Sequence, residues 1–114
     1  MSFSLTTEAI LNRTKTVTRR LGWSNLKPGE EFSACKKCMG LKAGEKIERL
    51  AVLRCVTNTP EPLHLMFDSK YGAEEAIREG FPQMTGTEFV DMFCSHMRVT
   101  HDATVHRIEF EYVG

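Results

Sequence analysis

Thr14-Lys15-Thr16-Val17-Thr18-Arg19-Arg20-Leu21-Gly22-Trp23 is the stretch from which the fold of this chain can be read. It holds three cations within six residues, three threonines at alternate positions and the only tryptophan. β-Branched Thr and Val favour an extended backbone. A strand over Lys15–Arg20 would send Thr14, Thr16, Thr18 and Arg20 to one side and Lys15, Val17 and Arg19 to the other. Hydroxyls and fixed cations on a short rigid element suit a phosphate or a polar base. The same pattern also fits an edge strand whose charges are simply solvated and block unwanted pairing.

The surrounding chain bounds the answer. A length of 114 residues suits one domain, 1–114, with a modest core. A hydrophobic content of 41% with 26% charged residues is that of an ordinary globular protein rather than a disordered or membrane-embedded one. No apolar run approaches the ~18 residues of a membrane span. The opening Met1-Ser2-Phe3-Ser4-Leu5-Thr6-Thr7-Glu8 lacks the basic and apolar regions of a signal peptide. A cytoplasmic location without membrane attachment is the expectation.

The net charge is zero, but it hides a division. Residues 1–54 carry eleven Lys and Arg against five acids, and residues 55–114 carry four against ten. A basic half of this kind attracts polyanions, or it pairs with the acidic half inside one fold. Cys35-Lys36-Lys37-Cys38 has the spacing of half a zinc site or of a redox pair, and no second close pair of ligands accompanies it. No metal site and no cofactor are therefore expected. A zinc-stabilised interaction module built on Cys35 and Cys38 is the remaining alternative. Cys55 and Cys94 sit in apolar runs and are expected to fill core space.

Taken in order, Ser4–Asn12 reads as a short helix capped by Thr6 or Thr7, and the basic strand follows. Leu26-Lys27-Pro28-Gly29 is a turn. Glu31–Met39 reads as a strand, and Ala43-Gly44-Glu45 as a turn. Ile47–Thr57 reads as the strongest strand, ended by Asn58-Thr59-Pro60-Glu61-Pro62 because proline cannot donate to a ladder. Leu63–Asp68 reads as a short strand, and Ala73–Arg78 as a helix ended by Gly80. Thr85-Gly86-Thr87-Glu88 is a capping box opening a helix to about Met97, whose Phe89, Val90, Met92, Phe93 and Met97 form an apolar stripe read as core. Thr104–Val113 reads as a closing strand, with Ile108, Phe110 and Tyr112 on its apolar face. Strands joined by tight turns argue for antiparallel pairing. The expected class is α+β, a small, mostly antiparallel β-barrel with flanking helices.

The stretch Ala9–Arg20 resembles the opening of the ASCH domain family, part of the PUA-like superfamily, whose signature is a helix followed by a Gly-x-Lys-Thr-x-(Glu/Thr)-x-Arg strand. Arg78-Glu79-Gly80-Phe81 with Thr87-Glu88-Phe89, and Val105-His106-Arg107-Ile108-Glu109-Phe110, resemble later segments of that family in the same order. Small proteins of this kind occur in bacteria and their phages. The resemblance implies a PUA-like barrel with a basic cleft and an RNA, nucleoside or nucleotide ligand. Some small members are amidohydrolases that remove the acetyl group of N4-acetylcytidine through a Lys, a Thr three residues later and a Glu from the helical segment. Those positions are Lys15, Thr18 and Glu79 here. Arg13 stands where the family has glycine, a change expected to narrow or recharge the cleft mouth.

The chemistry is coherent on its own terms. A desolvated lysine loses its proton more easily and can serve as base to a threonine hydroxyl or a water. Regular alternation puts Lys15 and Thr18 on opposite faces, so their meeting requires a bulge or a strand end between them. Glu79 would then hold the lysine or carry a proton, or else be a plain salt-bridge partner. For nucleic-acid binding the candidates are Arg13, Thr16, Arg19, Arg20, Trp23, Lys36 and Lys37. The arginines would grip phosphate in fork geometry, the lysines would extend a phosphate track, and Trp23 would stack on a base. Against this, Arg20 has Glu79 or Glu109 as a possible internal partner, and Trp23 has the role of a core anchor. His64, His96, His101 and His106 have no metal-binding spacing.

Overall fold

In the computed structural model, which describes residues 1–38 and 42–114, the basic stretch enters regular structure only at β1 (Val17–Arg20). The two residues before it are held elsewhere. The Lys15 N–H donates to the Ala9 carbonyl at 3.2 Å and the Thr16 N–H to the Arg78 carbonyl at 2.9 Å. Ahead of β1 lies α1 (Thr7–Leu11), shorter than expected, with Thr6 at its cap position making no side-chain cap. β2 (Glu31–Cys35), β3 (Arg49–Pro62) and β4 (Thr104–Tyr112) complete an antiparallel sheet in the order β1-β4-β3-β2. The sheet curls into a half-barrel, and among the described residues three α-helices and one 3-10 turn accompany it, so the class is α+β. No described helix is long and apolar enough to cross a membrane.

β2 stops at Cys35, where its register against β3 shifts and the Lys36 N–H turns to the Glu48 carbonyl. Cys38 therefore lies beyond the strand expected to contain it, and Met39 lies outside the described residues. β3 corrects a second expectation, because it runs through both prolines. β2 pairs with β3 only up to Arg54, whereas β4 pairs with it up to Pro62. Leu63 donates its N–H to the Ala103 carbonyl at 2.9 Å. Pro60 and Pro62, at the alternate positions, turn their missing donors to the side β2 leaves open, where no ladder needs them.

The third correction concerns Leu63–Phe67, which is a 3-10 turn and not a strand. It leads into α2 (Ser69–Arg78), longer than expected because Asp68 accepts the Tyr71 N–H at 2.8 Å and caps it. α3 (Gly86–Met97) opens with the expected reciprocal box. Glu88 N–H donates to Thr85 Oγ1 at 3.1 Å and Thr85 N–H to Glu88 Oε1 at 2.9 Å. One core cluster gathers Phe3, Ile10, Phe32, Leu53, Ile108 and Phe110, and the other gathers Leu63, Met66, Phe89, Val90, Phe93 and Val105. The second cluster is why Val105, opposite in parity to Ile108, is also buried.

α2 and α3 approach closely through a glycine pair. A β-carbon on Gly86 would lie 1.9 Å from the Met66 carbonyl oxygen and 2.6 Å from the Gly72 α-carbon, and one on Gly72 would lie 2.1 Å from the same oxygen. Backbone cannot yield as a flexible side chain does. Gly86→Ala should therefore cost about 1–3 kcal/mol or more by denaturant unfolding. Gly22→Ala, which meets no atom within 4 Å, should stay near the parent. Equal midpoints for the two variants would contradict the close crossing.

Candidate functional site

The closing turn of α2 places the site. The Glu79 carbonyl, one of the helix's unsatisfied C-terminal acceptors, takes Lys15 Nζ at 2.5 Å, and Glu79 Oε1 takes the same nitrogen at 2.8 Å. Gly80 makes this approach possible. Its φ is +93°, and a β-carbon there would meet the Ala9 β-carbon at 2.9 Å. Tyr112 Oη donates to the Lys15 carbonyl at 2.6 Å, so the lysine is anchored at both ends. Lys15 is only 2% exposed. Burial lowers its pKa, and the Glu79 carboxylate opposes that shift.

A cleft of about 400 Å³ opens beside this pair. Lys15, Thr18, Arg19, Arg20 and Glu79 supply its polar side, and Phe81, Phe89, Met92, Phe93 and Met97 its apolar wall. β1 is an edge strand and Lys15 precedes it, so side chains from both faces of the stretch reach the same cavity. The strand end required for Lys15 and Thr18 to share a site is present. Thr18 Oγ1 accepts Arg20 Nε at 3.0 Å.

Arg19 borders the cleft too, but its guanidinium is spent on a nest of acids. It donates to Glu61 Oε2 at 3.0 and 2.8 Å, to Glu75 Oε1 at 2.5 Å and to Glu79 Oε2 at 3.2 Å. Arg107 lies directly opposite Arg19 in the β1–β4 register, a like-charge pairing that Glu75 Oε1 neutralises by accepting from both at 2.5 Å. Burial by itself would lower the Arg19 pKa, and Glu79, Glu61 and Glu75 outweigh it and raise it. Tyr71 Oη donates to Glu61 Oε1 at 2.5 Å, and its pKa is pushed up to about 12 by burial and by that carboxylate. The basic and acidic halves of the sequence thus meet inside the fold.

Burial alone would raise the Glu75 carboxyl, but hydrogen bonds from Arg107 and Arg19 prevail and hold it at about 2 against an ordinary 4.5. A carboxyl depressed in the folded state stabilises above its unfolded pKa, and that contribution is lost as pH falls through the folded value. Unfolding free energy should therefore decline between pH 4.5 and about 2, with a share on the order of 3 kcal/mol from this one group. Urea titrations at stepped pH check it. Glu75→Gln should flatten that part of the profile, and an already flat parent would contradict it.

The other nucleic-acid candidates separate. Arg19 cannot grip phosphate, because all of its fork is spent on carboxylates. Arg20 lies at the cleft with its Nη2 on the Ser2 carbonyl at 2.6 Å and its guanidinium 4.7 Å over the Phe3 ring. It is Arg19, and not Arg20, that pairs with Glu79. Arg13 is not among the residues that line the cleft. Its Nη2 donates to the Gly114 carbonyl at 2.7 Å and its guanidinium lies over Tyr112. Its φ of 61° is a left-handed conformation that glycine adopts without cost. Thr16 is half-buried and its backbone is fully engaged. Trp23 is 44% exposed, contacts Phe32 and lines a separate hollow with Ser24, Asn25, Leu26 and Glu30. Lys36 and Lys37 are exposed, and Ser2 Oγ donates to the Lys36 carbonyl at 3.2 Å beside the cleft.

Sequence reasoning missed two walls. Residues 2–6 form a strap along the cleft, pinned by the Phe3 N–H to the Cys35 carbonyl and the Cys35 N–H to the Met1 carbonyl, and contribute Ser2, Ser4, Leu5 and Thr6. Such a strap has no periodicity to betray it. The apolar stripe of α3 is more than core, because Phe89, Met92 and Phe93 serve both core and cleft, and His96 stands with them. Cys35 is buried and Cys38 half-buried. Among the described residues no group of three or more His, Cys, Asp or Glu gathers as a metal site would require.

No family model matches the chain, and no curated protein matches it. Among solved structures the chain is similar to the crystal structure of protein EF3133 from Enterococcus faecalis V583, described under the family DUF984. The TM-score is 0.62 with 16% identity, covering 96% of this chain and 71% of that one. At that identity the likeness extends to the fold alone.

Proposed function

We propose that the curled sheet is a PUA-like barrel of the ASCH kind and that its cleft binds a nucleoside-like ligand and hydrolyses an N-acyl group on it. The observation that carries this reading is Lys15. It is a buried lysine held at 2.8 Å by a buried glutamate, on the wall of an apolar cleft that Thr18 also lines. A purely structural ion pair has no need to face a cavity.

The roles follow from the contacts. Glu79 takes two of the three ammonium protons of Lys15 and leaves the third free beside the cleft that the side chain lines. Neutral Lys15 takes the Thr18 hydroxyl proton as Oγ1 attacks the acyl carbon and the carbonyl π pair moves onto the acyl oxygen, while the Arg20 Nε–H holds Oγ1 in position. Lys15 then returns the proton to the departing nitrogen as the C–N bond breaks. Water hydrolyses the acyl-threonine in the same manner, releasing a carboxylic acid. The Phe and Met wall receives the flat base. The site requires no cofactor for this chemistry, and a cytoplasmic nucleoside pool is the setting it suits.

The test is release of cytidine from N4-acetylcytidine by the purified chain, followed by chromatography. A parent inert on this and related acylated nucleosides would overturn the reading. A second reading, an RNA- or nucleotide-binding cleft without hydrolysis, is favoured by exposed Lys36 and Lys37 beside the strap. Binding without turnover would select it.

A further inference from the structure

In the buried charge cluster, Lys15, Arg19 and Arg107 each meet a carboxylate: Lys15 meets Glu79, Arg19 meets Glu61, Glu75 and Glu79, and Arg107 meets Glu75. Arg20 is the exception. Among the described residues no carboxylate lies within 4 Å of it, and its partners are a threonine hydroxyl, a backbone carbonyl and the face of Phe3. Those partners fix the guanidinium plane without neutralising it. Its Nη1 has no hydrogen-bond partner among the described residues, and the side chain lines the cleft. Burial works against its charge, which Glu79 only partly relieves. The half-buried guanidinium thus presents a free N–H edge at the cleft, where an anionic partner would make a charge-assisted hydrogen bond.

Glu79 does not repel an incoming anion strongly, because Lys15 occupies its Oε1 and Arg19 its Oε2. Phe89, Met92 and Phe93 line the same cavity as Arg20. We propose that the ligand of this cleft carries an anionic group, phosphate or carboxylate, held by the Arg20 fork, next to an apolar or aromatic body lying on the α3 wall. The proposal rests on the reading that this cleft is the binding site. It does not depend on hydrolysis. Within that reading it narrows the ligand from a nucleoside to an acidic, nucleotide-like molecule.

Three small probes test it on the full chain by calorimetry or NMR titration: phenyl phosphate, benzoate and neutral benzyl alcohol. An anionic probe should bind about tenfold tighter or more than benzyl alcohol, the scale of a charge-assisted fork. Phenyl phosphate ahead of benzoate assigns the source as phosphate, and the reverse assigns carboxylate. Arg20→Gln should reduce the anions to the level of the alcohol, and Arg20→Lys should retain part of the preference. Should Arg20→Gln fail to fold, the Arg20 Nε–H resonance of the parent gives the same answer, because it must shift on titration with the anion and not with the alcohol. Equal affinity for all three, binding of none, an anion affinity untouched in folded Arg20→Gln, or an unmoved Arg20 resonance would each overturn the proposal. Hydrolysis of N4-acetylcytidine without anion preference sinks this proposal and leaves the hydrolase. Anion preference without hydrolysis does the opposite.

Discussion

Arg19→Ala should destabilise the protein by about 3–5 kcal/mol, the cost of leaving buried charge uncompensated. The side chain is fully buried and joins three carboxylates contributed by β3, α2 and the turn after α2. Its removal leaves Glu61 without a cation among the described residues and strips one from Glu75 and Glu79. A domain of this size holds only about 5–15 kcal/mol in all, so the variant should sit close to unfolding at growth temperatures. Arg19→Lys is expected to fail nearly as badly, because one ammonium cannot reach three carboxylates as a planar fork does. Denaturant midpoints with a fixed slope are the measurement. A parent-like midpoint for Arg19→Ala would mean that the guanidinium faces solvent, as a phosphate grip would.

The second large effect belongs to catalysis. Lys15→Arg should leave the chain folded and lower turnover of the acylated nucleoside by about 10²–10⁴-fold, the usual contribution of a positioned general base. Arginine keeps a positive charge beside Glu79 but does not surrender its proton. Because burial lowers the Lys15 pKa, the parent's turnover should rise with pH along a limb below the ordinary 10.5. The neutral base accumulates as pH passes the lowered value. Rates across pH for parent and variant, with circular dichroism as a folding check, decide it. Undiminished turnover in Lys15→Arg would remove the lysine from the mechanism even if the cleft binds its ligand.

Much of this was legible in the residues because it is local. The Thr85–Glu88 box announces α3, and alternation in 104–112 announces β4. The cation run at 15–20 marks the polar heart of the molecule. What alternation could not say is where each cation's partner comes from. Arg19 meets acids 42 to 60 positions away, supplied by a strand expected to have ended and a helix expected to begin later. Prolines suggested a stop at 58–62, since the sequence does not show that one side of a strand is unpaired. The apolar face of α3 likewise has the same spacing whether it meets a core or a cavity.

The two prolines of β3 have a further consequence. Where β2 ends, β3 presents half a strand whose outer side lacks a neighbour among the described strands, next to Val56, which is 40% exposed. An open edge of that kind invites a strand from another molecule. Pro60 and Pro62 turn donor-less nitrogens toward it, so an incoming chain would find acceptors but a broken row of donors. The residues that looked like terminators of the sheet act instead as its guard against aggregation, and they protect the strand that delivers Glu61 to Arg19.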